Sequence, residues 1–297
     1  MALEDYLRDE ILEEAGLGYI STEERDRRLA IFDGTRTTAT GPDNTPFMST
    51  QTSGSNSELS ASDDDPDLIT GRVSAKGETS DVLAYLAKPK ERINLPGVVV
   101  IHENKGLTPH IEDVARRFAR EGFVAIAPDL LSRRGGTPKF ATPTDATTAL
   151  KDIPSADLDD DLMATVSCLA SDDSVDSENI GVVGFCFGGG MAWRLVTKDT
   201  RVKAAVPFYG VNPNLKYVPK IEAAVLAIYG ELDARINAGI DDITEAMQAA
   251  NKTFEKIIYP GAQHAFHNDA NPERYHPEAA KQAWQRTLEW LRRWLPQ

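Results

Sequence analysis

Cysteine is scarce in this sequence, with two in 297 residues, and Cys168 and Cys186 stand too far apart to suggest a disulfide framework. Long apolar runs are absent as well. No stretch approaches the roughly 18 consecutive apolar residues of a membrane span, and Met1–Glu10 has neither a basic n-region nor an apolar h-region. The expectation is a soluble, cytoplasmic protein whose thiols stay reduced. Basic residues are in deficit, 32 against 46 acidic ones, for a formal net charge of −14. That imbalance argues against nucleic acid and against anionic membrane surfaces as partners. The local clusters Asp63–Asp65 and Asp159–Asp161 read as solvated surface.

Cofactor signatures are missing too. No G-x-G-x-x-G opens a helix, and the glycine run at 188–190 lacks the Lys and Ser/Thr of a phosphate loop. His102-Glu103 begins like H-E-x-x-H, but Gly106 stands where the second histidine is needed. His264 and His267 lie three apart in a loop without further ligands nearby in sequence, which is poor material for zinc. Neither a metal nor an organic cofactor is expected. No G-x-S-x-G supplies a serine nucleophile.

What the sequence does contain is Gly184-Phe185-Cys186-Phe187-Gly188, between the apolar run Ile180–Val183 and a glycine-rich helix start. A strand, a sharp turn and a helix with a nucleophile at the apex form a nucleophile elbow, whose small flanking residues let the turn close. A thiolate at that apex would be favoured by the following helix N-terminus. An inert, buried cysteine beside a glycine-rich turn fits the pentapeptide equally well.

Two downstream residues separate these readings. Ala223–Tyr229 is a buried-strand run that places Asp233 in the loop at its C-terminal end, and Phe254–Tyr259 is another, with His264 in the loop beyond Pro260-Gly261. Either residue alone is ordinary. Together they give the chain order nucleophile, acid, histidine, each at the tip of its own strand, as in α/β-hydrolase triads.

At this point the chain from about Asp81 to Leu295 resembles the dienelactone hydrolase family. The resemblance is carried by the Gly184–Gly189 elbow, Asp233 after its strand, Gly261-Ala262-Gln263-His264-Ala265-Phe266, and Glu103 after the strand Val98–Ile101. Ala127-Pro128-Asp129-Leu130 and Phe208-Tyr209-Gly210 also match family positions. It implies an α/β-hydrolase fold and a cofactor-free enzyme that opens a small ester or lactone through a Cys186 acyl-enzyme. His264 would be the base, Asp233 its orienting acid, Glu103 a modulating carboxylate, and the backbone N–H groups of Phe187 and Asn104 the oxyanion hole. From the residues alone, Glu103 reads instead as an ion-pair partner of Lys105 or an arginine, because a carboxylate beside a thiol raises the thiol pKa. The resemblance weakens at substrate recognition. Family members that open dienelactones hold the substrate carboxylate with arginines, one of them shortly after the catalytic histidine, whereas here no arginine follows His264 until Arg274. Arg133 and Arg134 read as a solvated basic loop. Two other roles remain to be weighed, a catalytically silent binding or assembly module and a thiol redox protein using Cys186. Neither needs Asp233 and His264.

The chain divides into an extension, residues 1–68, and a hydrolase domain, residues 69–297. Leu3, Tyr6, Leu7, Ile11 and Leu12 repeat at helical spacing, and a second helix is predicted from Thr22 to Ile31. Asp33 to about Pro66 has linker composition. The apolar faces of the helix pair are expected to bury in a homodimer contact. Beyond them, strands near Gly71–Ser74 and Asp81–Leu86 open the sheet as an antiparallel edge. Regular βα alternation follows, through helices predicted at Pro109–Glu121, Asp157–Ser171, Phe187–Thr197 and Ala238–Ala250. A final helix, Pro277–Trp294, presents Trp284, Leu288, Leu291 and Leu295 to the core.

Overall fold

Alternating apolar runs and amphipathic segments build one eight-stranded sheet in the computed structural model, which describes residues 60–296. The strands are β1 (Leu68–Ala75), β2 (Val82–Pro89), β3 (Leu95–Ile101), β4 (Val124–Pro128), β5 (Val175–Phe185), β6 (Val202–Phe208), β7 (Ala224–Gly230) and β8 (Phe254–Tyr259). Their spatial order is β1-β2-β4-β3-β5-β6-β7-β8. β1 pairs antiparallel with β2, and β2 with β4; every other pairing is parallel. The expected antiparallel edge is therefore present. β3, β4 and β7 are buried along their whole length, as strands covered on both faces must be.

The helices are α1 (Pro109–Arg120), α2 (Pro143–Lys151), α3 (Ser155–Ala170), α4 (Phe187–Val196), the short α5 (Ala234–Asn237), α6 (Ile240–Ala249) and α7 (Pro277–Trp294). Side chains alternate across each strand, so Val98 and Val100 join one core with α1 and α7. Val99 and Ile101 join another with α2, α3, α4 and α6. Trp284, Leu288, Leu291 and Leu295 are all buried, as the α7 stripe predicts. Each such side chain contributes on the order of 1.5–3 kcal/mol.

Two local expectations are corrected, and one further helix is found. The segment Pro143–Lys151 is a helix, capped by Thr142, whose side chain accepts from Asp145 N–H at 3.1 Å, with Pro143 in its first turn. The helix expected over Ala238–Ala250 begins two residues later, as α6, and the separate short α5, capped by Asp233, precedes it. Asp159 and Asp161 are buried and not solvated, since α3 turns them toward arginines. Asp161 accepts from Arg133 Nε at 3.0 and 3.1 Å, and Asp159 from Arg194 Nε at 2.6 Å with Lys198 at 2.8 Å. Arg133 is thus held in an ion pair, and Arg134 donates to the Asp152 carbonyl at 3.1 Å.

The predicted helices at the N-terminus, most of the linker and the expected dimer contact lie outside the described residues. Residues 60–67, at the end of the linker reading, have neither helix nor strand but are anchored on α1. Buried Ala61 donates its N–H to Asp113 at 2.6 Å and accepts from Arg116 Nε at 2.9 Å. Asp63 pairs with Arg116 and Asp65 with Arg120.

The Asp161–Arg133 pair yields a direct test. Asp161→Ala leaves a largely buried guanidinium with the more distant Asp157 carboxylate and the Thr79 hydroxyl beside it and is expected to lower stability by about 2–3 kcal/mol. Thermal unfolding followed by circular dichroism measures this, and an unchanged Tm would show that the pair is dispensable.

Candidate active site

The buried run Ile180–Phe185 carries β5 to the C-terminal edge of the sheet, where Cys186 turns the chain into α4. Cys186 has φ 57° and ψ −113°, a conformation that costs a non-glycine residue energy. Its N–H donates to the Phe208 carbonyl at the end of β6, at 3.1 Å. The turn closes because its neighbours lack side chains. A Cβ on Gly184 would sit 1.9 Å from the Gly188 carbonyl oxygen, and one on Gly188 would sit 2.4 Å from that of Ile101. The thiol thereby stands half-buried at the N-terminus of α4, where the helix dipole favours negative charge.

Asp233 follows β7 and caps α5, accepting from Ile236 N–H at 3.4 Å. Its other oxygen lies 2.5 Å from His264 Nδ1, and His264 Nε2 lies 3.0 Å from Cys186 Sγ. An ionised carboxylate can only accept, so Nδ1 carries the donated proton and Nε2 faces the sulfur. Burial disfavours charge on His264, but the hydrogen bonds to Asp233 and Cys186 outweigh it and push the pKa up to about 9. The next residue, Ala265, takes φ 65°, which swings the chain away behind the imidazole.

Glu103, at the end of β3, is buried and accepts from Asn268 Nδ2 at 2.6 Å. The pairing with Lys105 or an arginine expected from the residues is therefore replaced by a neutral amide. Tyr209, with φ 38°, is fully buried beside the same centre. Burial first, and then the nearby Glu103, Cys186 and Asp233, push its phenol well above the usual range. Glu103 is tied to this centre through Asn268, four residues after His264 on the same loop.

A cavity of about 240 Å³ opens at Cys186, walled by Asn104 and Phe187 on one side and by Thr147, Leu150 and Lys151 of α2 on another. Val211, Arg235 and Ile236 complete it. Asn104 is fixed from α2, where Thr147 Oγ1 donates to its carbonyl at 3.0 Å. Neither Arg133 nor Arg134 lines this cavity.

The other histidines of the sequence reading face elsewhere. His102 is buried, with Nδ1 2.5 Å from the Glu103 carbonyl and Nε2 accepting from Leu130 N–H at 3.1 Å, so it ties the end of β3 to the loop after β4. His267 is enclosed by Phe185, Phe208 and Trp284, away from His264's partners. Burial, then the neighbouring Arg117 and His110, hold its pKa well below the usual value.

Comparison with known proteins fits this geometry. The dienelactone hydrolase family matches residues 82–295. The chain belongs to that family. The "Putative carboxymethylenebutenolidase" of Methylorubrum extorquens is 34% identical over 239 residues, covering 76% of this chain and 82% of that protein. A protein of the same description from Escherichia coli K12 is 35% identical, covering 77% and 89%. A crystal structure of a "Putative Dienelactone Hydrolase" from Klebsiella pneumoniae superposes with a TM-score of 0.70 at 34% identity, covering 75% of this chain and 98% of the other. The fold is the α/β-hydrolase fold, and the chain is a hydrolase.

The structure thus brings Cys186, Asp233, His264 and Glu103 to one centre and sets Asn104 and Phe187 at its wall. The sequence reading missed Asn268, Thr147, Lys151 and Arg235. The Thr142-Pro143 cap was a readable signal for α2 and hence for Thr147 and Lys151. Nothing local marks Asn268 as a partner of Glu103, 165 residues away.

Proposed function

We propose that this hydrolase cleaves a small carboxylic ester or lactone through an acyl-enzyme on Cys186. The observation that carries the reading is the chain of contacts Asp233–His264–Cys186, at 2.5 and 3.0 Å, on a strained elbow at the edge of the sheet. Cys186 gives its proton to His264, and the thiolate attacks the carbonyl carbon. The N–H groups of Phe187 and Asn104 receive the oxyanion. His264 then protonates the leaving alkoxide, and in the second half it takes a proton from water, which releases the acid and restores the thiol. Glu103 is held by the neutral amide of Asn268 on the loop that carries His264, in the place of the modulating carboxylate. The chemistry needs a reduced thiol, which suits the cytoplasm.

Lys151 and Arg235 give the cavity lining its positive charge. Arg235 is exposed and forms no ion pair among the described residues. A substrate carrying a carboxylate fits there, with Arg235 in the recognising role for which the segment after His264 offers no arginine.

Cys186→Ala is expected to abolish hydrolysis of p-nitrophenyl acetate and small lactones, a loss of several orders of magnitude, with the fold intact. Wild-type turnover in that variant would sink the assignment.

The proton that Cys186 gives up must reach the leaving group through His264. Its pKa is raised, so activity should hold below the folded value and fall as pH rises through about 9. Asp233→Asn removes the largest raising influence. The alkaline limb should move toward the ordinary histidine value and the rate should drop by roughly 10²–10⁴; a limb that stays in place would separate Asp233 from His264.

Arg235→Ala should raise KM for an anionic lactone by about tenfold, roughly the worth of one charge-assisted hydrogen bond. The same substitution should leave KM for neutral p-nitrophenyl acetate within about twofold. Equal effects on both substrates would remove Arg235 from recognition.

A further inference from the structure

His264 lies in the irregular connection between β8 and α7, where no strand ladder fixes the backbone. Four residues later the same loop supplies Asn268 to Glu103, and the next residue, Asp269, turns the opposite way. Asp269 Oδ2 accepts from Arg117 Nη2 of α1 at 2.5 Å, and Asp269 Oδ1 lies 3.0 Å from His110 Nδ1. Arg117 also pairs with Asp113, one turn earlier on α1. All four side chains are buried, and those of Arg117 and Asp269 are each 2% exposed.

Such a cluster is an expensive way to fill space, because desolvating the charges offsets most of their attraction and apolar residues of similar volume serve stability as well. What it supplies is direction. A bifurcated guanidinium fixes Asp269 relative to a rigid helix, and Asp269 in turn fixes the adjacent Asn268. The loop's other buried polar side chain gives no such direction. His267 is fully buried among aromatic rings, and neither ring nitrogen has a hydrogen-bond partner among the described residues. Aromatic packing holds His267 in place without specifying the rotation of the loop about it.

We propose that Arg117 and Asp269 are positioning residues for the hydrolysis. The buried Asp113–Arg117–Asp269 bridge sets the β8–α7 loop so that His264 meets Cys186 while Asn268 holds Glu103. The inference rests on the assignment of Cys186 and His264 as the reacting pair. The bridge also reaches outward, since Asp113 accepts the N–H of Ala61 at 2.6 Å.

The test uses the full chain carrying Asp269→Ala, Asp269→Asn or Asp113→Asn. It measures kcat and KM on p-nitrophenyl acetate, the pH profile of Cys186 alkylation by iodoacetamide, and circular dichroism as the control for folding. Asp269→Ala should lower kcat by about 10- to 100-fold, as expected when a reacting group is displaced by about an ångström, with KM within about threefold. The step in the alkylation profile that reports His264 should move to lower pH. Asp269→Asn, whose amide oxygen still accepts from Arg117, should recover most of kcat. A folded Asp269→Ala protein with wild-type kcat and an unmoved alkylation step would reduce the bridge to a structural element and overturn the proposal. If Asp269→Ala does not fold, Asp113→Asn decides, because Asp113 uses one oxygen for the Ala61 N–H and the other for Arg117, an asparagine can keep only one of the two, and Arg117–Asp269 stays in place. About a 3- to 10-fold fall in kcat at constant KM supports the proposal, and wild-type kcat with an unmoved step overturns it. Alkylation needs no turnover. A wild-type chain without Cys186-dependent hydrolysis would defeat the functional reading, while the variants' alkylation profiles would still decide the positioning role.

Discussion

The site depends on how closely the turn after β5 approaches the ends of its two neighbouring strands. The Cys186 N–H reaches the last carbonyl of β6, and Gly188 packs against the last carbonyl of β3, at separations that admit no side chain at 184 or 188. That contact fixes where the thiol stands and how it faces. The three loops bearing Glu103, Asp233 and His264 leave strand ends at the same edge of the sheet, so a parallel sheet with central β5 delivers them to one place by topology. The strained φ at Cys186 is sustained because both strands and α4 hold the turn from outside.

Charge is managed around this centre in two distinct ways. Away from the thiol, buried carboxylates meet guanidinium groups, as at Asp161–Arg133, Asp159–Arg194 and Asp269–Arg117. Beside the thiol the partners are neutral or shared. Glu103 has an amide, Asp233 has the imidazole, and the phenol of Tyr209 stays protonated between them.

Much of the architecture was legible from the sequence because its determinants are local. The α7 stripe of Trp284, Leu288 and Leu291 repeats at helical spacing, and β7 is a continuous run of buried residues ended by Gly230, so periodicity located the first and a short apolar run closed by a turn residue the second. The elbow and its partners were legible because each functional residue sits a few positions after a strand. What escaped was set by distant pairing. Asp159 and Asp161 look like surface acids until Arg194 and Arg133 are known to lie opposite them, 35 and 28 residues away. Asn268 is an unremarkable loop residue until the fold delivers Glu103. Helix α2 escaped for a different reason: its buried apolar positions are two, Ala146 and Leu150, too few to show a helical stripe.

The clamp on Ala61 has a mechanical consequence. Among the described residues β1 is an edge strand bonded on one side, the kind of element that peels away one hydrogen bond at a time when its free end is pulled. Tension arriving from the N-terminal chain meets Ala61 first, where Asp113 and Arg116 grip both backbone polar groups and Arg120 adds the Ser60 carbonyl. These bonds must rupture together before force reaches Leu68. The strap thus turns a potential unzipping of the sheet into a pull on the side of a helix, and the edge is shielded from whatever the preceding residues are attached to.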